Sequence, residues 1–83
     1  MTRDEILAEL RQAMHEMFEV DAADVTLGSH LIDDLGLDSI DAIDMAVRLQ
    51  ELTGSRVGEA ELKALRTIED VVVLVEQALA ARG

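Results

Sequence analysis

Ile6, Leu7, Leu10, Met14, Met17 and Phe18 fall at helical spacing near the start of the chain. Such a stripe is buried only if the segment coils into an α-helix and lays one face on other elements. Thr2 stands just before it with Glu5 three residues on, so the Thr side chain can cap the helix while the Glu side chain reaches back. Proline is absent and Phe18 is the sole aromatic residue, which fits a small helical bundle with an aliphatic core. The 83 residues make a single domain, 1–83. A chain this short buries only about 60% of the surface its unfolded form exposes. Its small core leaves little room for a deep catalytic cleft, which weighs against a free-standing enzyme.

A second helix is expected from Ser39 to about Leu52, stopped by Gly54. Gly58 and Glu59 lead into a short helical turn around Ala60 to Leu65. The last helix starts at Thr67, where Asp70 stands three residues on as a weaker capping partner than Glu. The run Val71 to Val75 is strand-like by its β-branching. Helix formers follow it from Glu76 to Ala81 and the chain offers no partner strand, so a helix is expected. The expected fold class is therefore all-α, with three main helices and one short one. Between Val20 and Asp38 lies a long connection whose Val25, Leu27, Leu31, Ile32 and Leu35 predict packing over the bundle. A connection of that length in a compact domain calls for a functional explanation.

Eighteen acidic residues against seven Lys and Arg give a net charge of -11. Between Arg11 and Arg48 there is no Lys or Arg, while nine of the acids lie there. Such a field repels nucleic acid and anionic membranes and favours basic partner surfaces; it also serves as a plain solvated surface. Without cysteine there is no disulfide, no thiolate metal site and no thiol nucleophile, so thiol chemistry would need an added group. No signal region follows Met1 and no run approaches a membrane span; a cytoplasmic monomer without membrane insertion is expected.

The run Asp33-Asp34-Leu35-Gly36-Leu37-Asp38-Ser39-Ile40-Asp41 concentrates the functional signal. A serine at the first turn of a helix lies beside N–H groups without partners and a partial positive charge, a setting that favours phosphate. Gly36 lets the loop turn tightly and leaves the serine open to a modifying enzyme. Asp33, Asp34, Asp38 and Asp41 would repel a phosphate, so they make better sense as contacts for basic partners. The plain structural role for Ser39 is a helix N-cap. Apolar residues of the following helix cannot share one face. Ile40, Ile43, Val47 and Leu52 on one side and Met45, Ala46 and Leu49 on the other fit either a helix buried on two sides or one with a partly exposed apolar face.

This run, extended through Asp41-Ala42-Ile43-Asp44 and Arg48-Leu49-Gln50-Glu51-Leu52-Thr53-Gly54, resembles the phosphopantetheine attachment site of acyl carrier proteins, with Ile40 where leucine is commoner. The resemblance covers nearly the whole domain and implies a four-helix bundle. It implies that Ser39 receives 4'-phosphopantetheine from coenzyme A, with Asp38 matching the aspartate before it. The arm's thiol then holds acyl groups as thioesters. The helix after the serine is the family's recognition helix, and its matching positions are Ile40, Ile43 and Val47 (apolar) and Asp41, Asp44 and Glu51 (acidic). Partners implied are a phosphopantetheinyl transferase and acyltransferase, ketosynthase, reductase and dehydratase enzymes with basic docking surfaces. Arg48 departs from the strongly acidic pattern and is expected to tune partner choice. Asp38 to Asp44, with Arg48 to Gly54, is similar to carriers of aryl-polyene clusters, which run a fatty-acid-like cycle.

Other chemistries fit less well. Only His15 and His30 could serve as a base, and the serine lacks a Gly-x-Ser-x-Gly setting. The leucines at 35 and 37 break the alternation of an EF-hand loop, so no metal site is expected. Met14, Met17 and Met45 read as core filler. A peptidyl or aminoacyl carrier would share the serine and the arm. An unmodified acidic interaction module would share the fold and charge but give Ser39 no special role.

Overall fold

The computed structural model describes residues 2–54, 56 and 59–82, with all of their side chains except those of Ser39, Ala42, Glu59, Leu62, Lys63 and Arg82. The chain forms α1 (Arg3–Phe18), α2 (Ser39–Thr53), α3 (Glu59–Ala64) and α4 (Ile68–Arg82). This is the all-α arrangement of three longer helices and a short one that the sequence predicts. Gly58, expected to lead into α3, lies outside the described residues. Among the described residues no helix is long and apolar enough to cross a membrane.

The box at the start of α1 forms as expected: Glu5 N–H donates to Thr2 Oγ1 at 3.2 Å and Thr2 N–H to Glu5 Oε1 at 3.0 Å. Hydrogen bonding of the Glu5 carboxyl to the Thr2 backbone first and to the Thr2 side chain second holds it below the usual range. Ile6, Leu10, Ala13 and Met14 form the buried stripe, with Leu7 and Phe18 packed at its margin. The helix ends at Glu19, which adopts a left-handed conformation (φ 59°) without being glycine. Its N–H and that of Val20 close on His15 and Met14 carbonyls, a Schellman-type stop.

The long connection is a structured strap. Asp21 caps a 3-10 turn over Ala22–Asp24, and Arg11 Nε donates to the Val25 carbonyl at 3.0 Å. Ser29 is buried, donates its hydroxyl to the Asp24 carbonyl at 2.7 Å and accepts the Thr26 N–H at 3.0 Å. Val25, Leu31 and Leu37 enter the core, and Leu27 and Leu35 pack against it. Ile32 is the exception, being 62% exposed.

The strap also completes the start of α4. Ile68 N–H donates to the Ser29 carbonyl and Glu69 N–H to that of Leu27, each at 3.0 Å. Leu31 N–H donates back to the Arg66 carbonyl at 2.8 Å, and His30 and Thr67 form an isolated antiparallel bridge. Thr67 and Asp70 make the expected pair: Asp70 N–H reaches Thr67 Oγ1, while Arg66 and Thr67 N–H groups donate to Asp70 Oδ2 at 3.0 and 3.1 Å. Those backbone donors, Arg66 first, hold the Asp70 carboxyl below the usual aspartate range.

Ile68, Val71, Val72 and Val75 turn one side of α4 into the core. There α4 packs on α1 and α2, and α3 packs on α2. Burial of this face outweighs the strand preference of the valine run. Two arginines tie helices together from outside: Arg3 pairs with Glu76 at 2.8 Å across to α4, and Arg48 pairs with Glu16 at 2.9 Å across to α1.

Candidate functional site

The segment before α2 is pinned at both ends. Leu31 and Leu37 are buried, and Leu37 N–H donates to the Leu31 carbonyl at 3.0 Å. Between them the chain makes one helical turn, in which Asp34 and Leu35 N–H groups donate to the His30 carbonyl. Gly36 closes it with φ +71°, and a Cβ there would meet nothing within 4 Å. Glycine is thus needed for the left-handed backbone and not for space. Leu37 then anchors the strap just short of the helix, so that Asp38 and Ser39 emerge at a fixed place.

Asp38 is the N-cap of α2. Its Oδ1 accepts the Asp41 N–H at 2.9 Å, and Asp41 Oδ2 accepts the Asp38 N–H at 3.2 Å. Ser39 is the first helical residue, so the capping role open to it in the sequence falls to Asp38. The exposure expected of its side chain lies outside the described side chains. The helix ends at Thr53, one residue beyond the predicted end, with Gly54 as its left-handed cap (φ 69°).

On α2, Met45, Ala46 and Leu49 are buried, whereas Ile40, Ile43 and Val47 are 68%, 59% and 52% exposed. The helix is therefore not buried on two sides: the second apolar set faces out, and Leu52 is half-buried. With Ile32, these three are the exposed large aliphatic residues found among the described residues, and all four lie within eight positions of Ser39. Asp44 and Glu51 are exposed, while Asp41 is half-buried and held in the cap. Arg48 is occupied by Glu16, whose carboxyl Gln12 and then Arg48 hold below the usual range. Its first structural duty is to join α2 to α1.

Two features escaped the sequence reading. The sequence predicts Ile32 among the packing residues of the strap, yet it is largely exposed on the turn. His30, weighed only as a base, instead accepts the N–H groups of Ile32 and Asp33 on Nδ1, each at 3.2 Å. The one sequence signal for that role is Asp34 four residues later, which takes the His30 N–H at 2.6 Å. Among the described residues no group of three or more His, Asp or Glu side chains could hold a metal ion.

Residues 8–75 match the family described as "Phosphopantetheine attachment site". The chain belongs to the acyl carrier protein family. It is 48% identical to "Acyl carrier protein 2" of Ralstonia nicotianae, over 98% of this chain and 100% of that protein. An acyl carrier protein of Rhodococcus erythropolis is 35% identical over 99% of this chain and 89% of its own length. The crystal structure of an acyl carrier protein from Thermotoga maritima superposes with a TM-score of 0.87 at 23% identity, covering 98% of this chain and 94% of that one. That likeness establishes the fold. The prosthetic group of an acyl carrier protein is 4'-phosphopantetheine, and such proteins are carriers and not catalysts. They work with synthase enzymes and a phosphopantetheinyl transferase.

Proposed function

We propose that Ser39 is the attachment residue and that Ile40, Ile43, Val47, Asp44 and Glu51 form the docking surface for partner enzymes, with Asp38 and Asp41 holding the helix start. The observation that carries this reading is the position of Ser39. It is the first residue of a helix whose cap is made by two neighbours, directly after a turn pinned by Leu31 and Leu37, and the next side chain, Ile40, is largely exposed.

The local chemistry fits a phosphodiester linked to the chain, and fits poorly a phosphate held by charge alone. First-turn N–H groups and the helix dipole favour an anion, but Asp38 N-caps the same turn and takes the Asp41 N–H. A covalent bond to the serine oxygen removes the need for a basic pocket. When bound, the group supplies a thiol that holds an acyl chain as a thioester. The chain's own residues fix the backbone at Ser39, present an apolar strip to partners and surround it with carboxylates that steer basic surfaces.

The protein thus acts as a carrier without catalysis of its own. It serves in the cytoplasm, with acyltransferase, ketosynthase, reductase and dehydratase enzymes of a fatty-acid-like cycle. His30, the histidine nearer to Ser39 in sequence, has its Nδ1 taken up by its own turn.

The test is intact-mass measurement after incubation with coenzyme A and a promiscuous phosphopantetheinyl transferase. The parent should gain one phosphopantetheine and Ser39→Ala none, with unchanged helical circular dichroism. A parent that stays unmodified by this transferase and by one from its own source, while folded, would return the chain to the unmodified interaction module. A gain in Ser39→Ala would move the site.

A further inference from the structure

We propose that His30 is a positioning residue for the loading of Ser39: its neutral imidazole caps the turn that leads to the serine, and protonation removes that cap. The inference rests on the assignment of Ser39 as the attachment residue for its consequence, but not for its geometry.

The geometry is that of a capping box built on histidine. His30 Nδ1 accepts the N–H groups of Ile32 and Asp33, each at 3.2 Å, the second and third residues of the turn. Asp34 Oδ2 accepts the His30 N–H at 2.6 Å. Serine, threonine or aspartate oxygens usually take this role, and their acceptor lone pairs persist over the physiological pH range. Imidazole differs. Two donors on Nδ1 require its lone pair, so the neutral ring carries its proton on Nε2. A proton on Nδ1 turns the acceptor into a donor that faces two N–H groups.

The charged neighbours do not restore the cap. Asp33 Oδ2 lies 3.8 Å from Nδ1 with its side chain 78% exposed, where an ion pair contributes little. Asp34 is held by the His30 N–H. On the segment bridged to His30, the charged groups are Arg66 and Asp70, and Asp70 is occupied by the N–H groups of Arg66 and Thr67. Glu69, the second residue of α4, lies 3.9 Å from Arg3. The turn itself ends at Gly36 and Leu37, the two residues that precede the cap of α2. Loosening its start therefore loosens the approach to Asp38 and Ser39.

Two measurements decide the matter. Nitrogen-15 imidazole spectra at about pH 8 should show His30 with its proton on Nε2, and the Ile32 and Asp33 amide resonances should shift with the ring as pH falls to about 5.5. In His30→Asn, whose amide oxygen accepts at every pH, those amide shifts should vanish. Loading efficiency (kcat/KM) by the transferase should be alike for parent and His30→Asn at the higher pH. At the lower pH the parent should fall below the variant, by no more than the roughly tenfold that a lost cap allows. His30→Ala should be low at both. A neutral ring protonated on Nδ1, or a parent-to-Asn ratio that does not change with pH, overturns the proposal. If neither parent nor variant is loaded at any pH, the Ser39 assignment fails, while the imidazole spectra still decide the cap.

Discussion

The starts of α2 and α4 use the same local device and serve opposite ends. Each has a capping residue and an aspartate three positions on that reaches back, Asp38 with Asp41 and Thr67 with Asp70. Around α4 the remaining N–H groups are taken by strap carbonyls of Leu27 and Ser29, and Ile68 is wholly buried. Around α2 the cap is self-contained, and Ile40 beside it is largely exposed. The α4 start is completed by distant backbone, whereas the α2 start is completed by its own residues and leaves the side chain beside it in solvent.

An isoleucine near each helix start should respond to truncation in opposite ways. Ile68→Ala should cost about 2–5 kcal/mol in urea unfolding, a large part of the stability of a domain this size. Ile43→Ala should stay within about 0.5 kcal/mol of the parent yet slow transfer to partner enzymes. Equal losses at both positions would erase the distinction.

Charge sharpens it next. Asp41→Lys would disturb the cap as well as the surface, so the clean probes are Asp44 and Glu51. The double change Asp44→Lys, Glu51→Lys should lower kcat/KM with a partner enzyme roughly tenfold at low ionic strength. The gap should close toward 1 M salt, where the screening length is about 3 Å. A gap that is the same at all salt concentrations would remove electrostatic docking.

Asp70 tests the structural start alone. Its folded carboxyl titrates below the ordinary 3.8 because Arg66 and Thr67 N–H groups donate to the charged form. That contribution is full above the unfolded value and is lost as pH falls through the lower folded one. Asp70→Asn should destabilise by about 1 kcal/mol near neutrality, with the difference shrinking as pH drops below 3.8. A penalty that persists into strong acid would mean that the charge of Asp70 is not its source. The smallest effect is expected at Glu19, where Glu19→Gly should raise stability by about 1 kcal/mol or less by relieving the left-handed backbone. A thermal-melt decrease would contradict that.

What was legible in the sequence was what neighbours in sequence decide. The Thr2–Glu5 box, the Gly54 stop and the tight turn at Gly36 all follow from residues within one or two turns of each other, and the helix formers from Glu76 to Ala81 signal the helix over Val71 to Val75 that core burial then secures. The division of α2 into inner and outer faces was half legible: periodicity showed two apolar sets, but only packing decides which one is covered. Less legible were the features made by distant partners. Nothing near Ser29 announces that its carbonyl caps α4 and that its hydroxyl ties the strap, and nothing near Arg48 names Glu16. Ile32 sits among apolar neighbours that all turn inward, and one helical turn was enough to send it out. At Glu19 no glycine marks the helix end, because the Schellman bonds to Met14 and His15 tolerate a residue that the conformation does not favour.

The hydrogen bonds joining residues 27–31 to residues 66–69 have a consequence for how the molecule comes apart. They make the stretch from 32 to 65, with α2 and α3, an excursion whose two ends already meet. Undocking α2 breaks the core contacts of Met45, Ala46 and Leu49 and the Arg48–Glu16 pair but none of the bonds of this seam, so the seam limits how much chain freedom that undocking regains.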